Sequence, residues 1–195
     1  MFSRNTLSAL AAAAALLGAA AVHAEPVNYV TDPDHTFATF QIDHFGASVI
    51  RARFDKVQGT VQLDRAAQTG KVDVTLEIGS VNVGVPSFEK HLQSAEILDA
   101  ARHPTARFVG ERFTFEGDQV KSVAGSLTIK GKTQPVTFTA RQFRCYDSPI
   151  LKREVCGGDF EATIDRTAFG VDYAIDMGFT RKVRIVAQIE AARQP

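Results

Sequence analysis

The chain has 195 residues, and its 22 basic side chains are matched by 22 acidic ones, so a formal net charge of zero offers no electrostatic grip on nucleic acid. Two cysteines and the lack of any linker or internal repeat argue for one domain with a full core and exclude a repeat array. Beyond the first residues, no stretch is long and apolar enough to span a bilayer.

At the N-terminus, Arg4 precedes an Ala/Leu run from Leu7 to Val22 that ends in Val22-His23-Ala24. The run is shorter than the ~20 residues of a membrane-spanning helix, and small residues fill the cleavage positions. Residues 1–24 therefore read as a secretory signal peptide and residues 25–195 as the mature domain, destined for the periplasm. Export to an oxidising compartment makes a Cys145–Cys156 disulfide the expected state of the two thiols, stapling a loop between two strand runs.

From Asn28 onward, alternation dominates. After a short strand at Asn28 to Thr31, the stretch TFATFQIDHFG places Ala38, Phe40 and Ile42 on one side and Thr39, Gln41 and Asp43 on the other, with His44 on the apolar side. A long run follows from Ile50 to Asp64. Val72, Val74, Leu76 and Ile78 then share a face opposite Asp73, Thr75 and Glu77. One helical piece interrupts the strands: Ser87 is placed to cap it, Glu89 lies in its first turn, and Phe88, Leu92 and Ala95 recur at helical spacing. It should end before Pro104.

Strands resume at Thr105 to Phe115 and Val120 to Ile129, then through Val136, Phe138 and Ala140, through Phe160, Ala162 and Ile164, and through Val183 to Ala191. Turn signals at Gly110-Glu111, Glu116-Gly117-Asp118 and Gly131 to Gln134 separate strand runs and imply antiparallel neighbours. Asp165-Arg166 is placed to fix the turn leaving a strand, with Gly170 supplying a positive φ, and the alternative for Arg166 is a role toward a ligand headgroup. The segment after it, with Tyr173, Met177, Gly178 and Phe179, is either an ordinary irregular connection or a lid. Eight or nine one-sided strands leave two architectures, a sandwich or a closed barrel. Fourteen phenylalanines and no tryptophan suit either a packed core or a smooth apolar cavity.

Catalytic motifs are missing: there is no G-x-S-x-G elbow, no H-E-x-x-H and no phosphate-binding glycine loop. His35 and His44 lie roughly 30 Å apart along an extended strand, too far to share an ion. Asp73, Glu77, Glu161 and Asp165 fall on the wet faces of their strands. The cysteine spacing is not that of a redox pair.

In chain order, the segments DPDHTFATFQIDHFG, RARFDKVQGTVQLD, HLQSAEILDAARHPTARF, GSLTIKGKTQPVTF and DRTAFG resemble the YceI-like family of exported lipocalin-like proteins across nearly the whole mature chain. The resemblance implies an all-β fold, an eight-stranded antiparallel lipocalin-like barrel with one short helical segment. It further implies an apolar tunnel that holds an isoprenoid-type lipid, a polyisoprenoid or the tail of an isoprenoid quinone, without catalysis or cofactor. The tunnel wall would then be Phe40, Ile42, Val74, Leu76, Ile78, Phe108, Leu127, Phe138, Phe160 and Ile185, with His44 one of its few polar groups. A carrier of this kind implies transient membrane contact and no nucleic-acid partner, and nothing in the sequence sets an oligomeric state. The chain departs from the family pattern at Phe88 and Glu89, where an Arg-Asp pair is usual, which implies a less polar rim or a different ligand end. Readings from other classes are a metal-binding stress protein or enzyme using His44 with His91 or His103, and a packed barrel with a protein-binding surface.

Overall fold

The computed structural model describes residues 25–195, so the leader expected over residues 1–24 lies outside the described residues. The elements in chain order are β1 (Val27–Thr31), β2 (Phe37–His44), β3 (Ser48–Phe54), β4 (Val57–Asp64), β5 (Thr69–Glu77), β6 (Val81–Asn82), α1 (Pro86–Gln93), β7 (Thr105–Glu116), β8 (Gln119–Ile129), β9 (Lys132–Asp147), β10 (Glu154–Asp165) and β11 (Lys182–Arg193).

These strands form eight staves. The order β1-β4-β5-β7-β8-β9-β10-β11 closes on itself because β11 also pairs with β1. β1 and β2 run along the same edge of β11, with Thr31 opposite Ala191 and Phe37 opposite Gln188, and so are two halves of one broken stave. β3 and β4 answer them, Phe54 facing Ala38 and Thr60 facing Val30. β5 and β6 continue the next stave past a 3₁₀ turn at Ile78–Ser80. Every pairing is antiparallel, and the β1–β11 pairing makes this a closed barrel and not a sandwich, with only the two-residue β6 left unpaired on one side.

The breaks have local causes. In the first stave, Asp32 turns the chain by accepting from the amides of Asp34 and His35, and fully buried Thr36 re-enters the ladder. Its Oγ1 donates to the carbonyl of Glu190 at 2.9 Å and accepts from that residue's amide at 3.2 Å. The run expected from Ile50 to Asp64 is broken at Asp55-Lys56, where the amide of Asp55 turns to Ser80 O and that of Lys56 to the Ser80 hydroxyl. Gly110-Glu111, which reads as a turn, instead sits inside β7 as a bulge, because Gly110 faces Gly125 of β8 directly. A Cβ on Gly125 would lie 2.1 Å from the carbonyl oxygen of Val109, so only glycine permits this approach.

The helix begins differently from its expectation. Ser87 is not its cap; Pro86 occupies the first turn, and the extended residue Val85 precedes it without a side-chain bond. The amides of Phe88 and Glu89 reach the Val85 carbonyl, while Glu89 Oε1 accepts from the amides of Val83 and Gly84. Gln93 ends the helix ahead of Pro104, as expected.

One end of the barrel is sealed. Tyr29, Leu63, Val120, Val123, Cys156 and Ala191 pack there with Phe113, Phe143 and Phe160 against them. Tyr29, 2 % exposed, donates to Glu154 Oε1 at 2.6 Å, and Arg65 Nη2 holds the other oxygen at 2.7 Å. Burial first, then the bond to Glu154 and its charge, push the Tyr29 pKa up to about 12. The Cys145–Cys156 disulfide joins directly opposed residues of β9 and β10 at this end.

Two outcomes follow for stability. Replacing both cysteines by serine removes a cross-link spanning 11 residues, a cost of about 3 kcal/mol in the chain-entropy view, and should lower Tm by about 6 to 12 °C in calorimetry. Because the folded pKa of Tyr29 is raised, the stability it lends is complete below its ordinary value of 10 and is lost as pH climbs toward about 12. Urea unfolding across that window should show the wild type losing stability faster than Tyr29→Phe, so that the gap between them narrows.

Candidate functional site

At the opposite end the staves enclose a cavity of about 510 Å³, walled almost wholly by carbon. Strand alternation builds this wall, since each stave turns every second residue inward. From β2 come Ala38, Phe40 and Ile42; from β5, Val74 and Leu76, with Ile78 just beyond it; from β7 and β8, Phe108 and Leu127; from β9 and β11, Phe138 and Ile185. Ten of the eleven positions named from the sequence, His44 among them, therefore border this space. Phe160 lies deeper, in a second cavity of about 100 Å³ beside Tyr29, Phe113 and Phe143.

A septum divides the two spaces. Phe108 and Phe138 line both, with ring centroids 5.0 Å apart and planes at 75°, an edge-to-face pair between β7 and β9 on either side of β8.

The mouth is built from α1, the β2–β3 turn and the segment between β10 and β11. Phe88, His91 and Leu92 of α1 face the cavity, and Tyr173 packs edge-on against His91 at 4.9 Å. His44 lies at the rim and is exposed; its ring packs against Phe45 at 5.1 Å and Phe179 at 5.7 Å, and its nitrogens make no hydrogen bond among the described residues. The inward reading of His44 is thus met in direction but not in burial, because β2 ends there and the chain turns back at Ala47.

Asp165 shapes the segment that crosses the mouth. Its Oδ1 accepts from the amide and the hydroxyl of Thr167 at 2.9 and 2.7 Å, and Arg181 holds Oδ2 at 3.1 Å. The Thr167 bond foremost, with Arg181, lowers its pKa to about 2. The 3₁₀ turn Arg166–Phe169 that follows ends on Gly170 at φ 73°, the positive φ expected there. Lys130, at the β8–β9 turn, donates to the carbonyls of Ile97 and Gly170, tying the chain after α1 to this segment.

Arg166 fixes the segment leaving the strand as expected, but does so from the inside. The acid alone caps the turn, while the guanidinium goes inward, only 5 % exposed, and borders the cavity. Its Nε donates to Thr180 O at 2.9 Å and its Nη1 to Val171 O at 2.8 Å, and it lies 5.3 Å from the Phe179 ring. The sequence reading set the turn first and a headgroup role for Arg166 second, because a charged residue beside an Asp in a turn ordinarily faces water. Phe169 and Val183, also bordering the cavity, were within reach: the first stands in the DRTAFG segment and the second shares the inward parity of Ile185.

Among the described residues, the one group of three or more side chains placed to share a metal ion is Cys145, Glu154 and Cys156. Its sulfurs are joined in the disulfide, and its carboxylate is engaged by Tyr29 and Arg65, so the group fits a metal poorly. His44 and His91 both border the cavity without belonging to such a group.

Comparison with known proteins agrees with this architecture. A YceI-like domain profile matches residues 29–191. A UPF0312 protein of Pseudomonas aeruginosa is 31 % identical over 193 residues, covering 98 % of this chain and 99 % of that protein. BcnA of Burkholderia cenocepacia superposes with a TM-score of 0.67 at 21 % identity over 82 % of this chain and 98 % of its own. A domain of Saccharophagus degradans described as polyisoprenoid binding and implicated in plant cell wall breakdown superposes with a TM-score of 0.59 at 12 % identity, covering 86 % and 99 %. At those identities the two structures speak for the fold.

The septum makes a geometric prediction. Phe108→Ala should join the two cavities into one, visible in a crystal structure, and should lower stability by about 3 kcal/mol in guanidinium titration.

Proposed function

The chain belongs to the YceI-like family, and on that premise we propose that it is an exported, non-catalytic carrier of an isoprenoid-type lipid, a polyprenyl chain or the tail of an isoprenoid quinone. The observation that carries the reading is the apolar cavity of about 510 Å³, within the roughly 300–1,000 Å³ of small-molecule sites. A barrel packed solid by its own rings would have no such space. The fold neighbour described as a polyisoprenoid-binding domain supports the same ligand class.

The energetics suit a chain ligand. Each isoprene unit buries five carbons at about 0.8 kcal/mol per methylene-sized group, a gross gain of about 4 kcal/mol per unit. Several units outweigh the loss of translational freedom on binding without help from polar contacts. The septum at Phe108 and Phe138 sets the depth, and the ring pair can yield only by rotating against neighbours from other staves. Export is supported by the leader pattern and by the disulfide, which suits an oxidising compartment. Phe45 and Met177, 56 % and 61 % exposed at the mouth, give the protein an apolar lip for brief contact with a membrane during loading.

The test is direct. Protein purified from an exporting host and extracted with organic solvent should yield a prenyl lipid by mass spectrometry in about equimolar amount. Leu76→Trp combined with Ile185→Trp should fill the cavity and cut that yield about tenfold while leaving the β-sheet circular dichroism unchanged. Protein that is reproducibly empty, and that takes up neither polyprenol nor quinone from vesicles, would refute the carrier reading.

A further inference from the structure

Among the described residues Arg166 is the one buried arginine, and no acid among them pairs with its charge. Two of its three guanidinium nitrogens are committed to carbonyls of the segment that crosses the mouth, those of Thr180 and Val171. The third, Nη2, is buried without a hydrogen-bond partner among the described residues. Its neighbour Asp165 is held by Thr167 and Arg181 and points away from the cavity to the barrel exterior. Arg166 takes part in no ion pair among the described residues, although the outward-facing arginines 107, 141, 181 and 184 all do.

A buried cation with spare donors is costly unless something neutralises it. Backbone carbonyls orient the guanidinium but carry no net charge. Burial accordingly depresses the Arg166 pKa, with Asp172 and Asp165 opposing from a distance. The same side chain borders the mouth end of an otherwise apolar space, against the Phe179 ring on which His44 also packs.

We propose that Arg166 is the headgroup anchor of the cavity, and that the bound amphiphile ends in an anionic oxygen group, a carboxylate or a phosphate monoester, that accepts from Nη2. This rests on the carrier reading above and sharpens it by assigning the ligand's polarity. The head lies under the segment between β10 and β11, the chain descends past Leu76 and Ile185, and its tail stops at the Phe108–Phe138 septum. Guanidinium geometry suits either anion, since one edge of the fork supplies charge-assisted bonds to paired oxygens. A terminal alcohol offers a single neutral acceptor and leaves the charge unbalanced.

The experiment compares a prenol, the prenyl carboxylic acid and the prenyl monophosphate of one chain length, each displacing a fluorescent lipid from the full mature protein at neutral pH. The wild type should bind at least one of the two anions about tenfold more tightly than the alcohol. Whether acid or phosphate wins identifies which of the two sources the site serves. Arg166→Gln should bring the anions down to the alcohol's affinity while the alcohol changes by no more than about twofold, and Arg166→Lys should keep part of the preference. Since Arg166 also braces the mouth segment, the head-group series on unaltered protein decides the matter even if the glutamine variant misfolds. Alcohol and anions bound equally by the wild type would overturn the anchor while sparing the carrier, as would a preference that survives in a folded Arg166→Gln protein. If none of the three displaces the probe, the carrier reading falls and the anchor with it.

Discussion

β11 hydrogen-bonds to β10 along one side and, along the other, to β2 near the mouth and to β1 near the sealed end. That seam turns a sheet into a vessel. Until the last strand meets the first, the inward faces of the eight staves look onto water and define no interior. The seam joins residues more than 140 positions apart, as in the Thr36 to Glu190 bonds, so it is made only when almost the whole chain is in place. Fully buried Thr36 at the break in the first stave marks the point where the two halves of that stave must both stay registered on β11.

Closure alone does not make the barrel hollow. Eight staves enclose a space that side chains can just fill, and the two ends of this barrel use it differently. Toward the base, Tyr29, Phe113, Phe143 and Phe160 with the disulfide leave about 100 Å³. Toward the mouth, Ala38, Ala52, Ala106 and Ala187 stand on the inner wall or behind it, and the same cross-section holds about 510 Å³. Phe108 and Phe138 lie where the two regimes meet, and for that reason they form the floor of the larger space.

The mouth answers to different forces. Outside it, carboxylates and arginines pair across strands, Asp73 with Arg107 and Glu161 with both Arg141 and Arg184, as solvated faces do. At its edge, Asp165 and Arg166 are consecutive residues with opposite fates. One caps a 3₁₀ turn in contact with water and is held strongly acidic. The other is drawn under Phe179 and braced by carbonyls. Turning the chain by one residue at the end of a strand exchanges faces, and here that exchange carries a cation into the apolar interior.

Much of this was legible in the residues alone. Period-two alternation named the strands and their two faces, while the tunnel itself came only from the family resemblance; ten of the eleven positions it implied border the larger cavity. The antiparallel hairpins at Gly117 and Gly131 and the helix ending before Pro104 were equally plain, because each rests on neighbours in sequence. Ser87 as a cap and Gly110 as a turn were misread for a common reason: Pro86 and the opposing Gly125 impose conditions that local pattern does not display. Alternation determines which side chains share a face, a property of covalent geometry. Only the tertiary structure decided that the faces enclose two unequal spaces, that a pair of phenylalanines divides them, and that Arg166 is buried without a counter-ion among the described residues. Each of those depends on how much volume is left, and which partners are near, once staves far apart in sequence have been brought together.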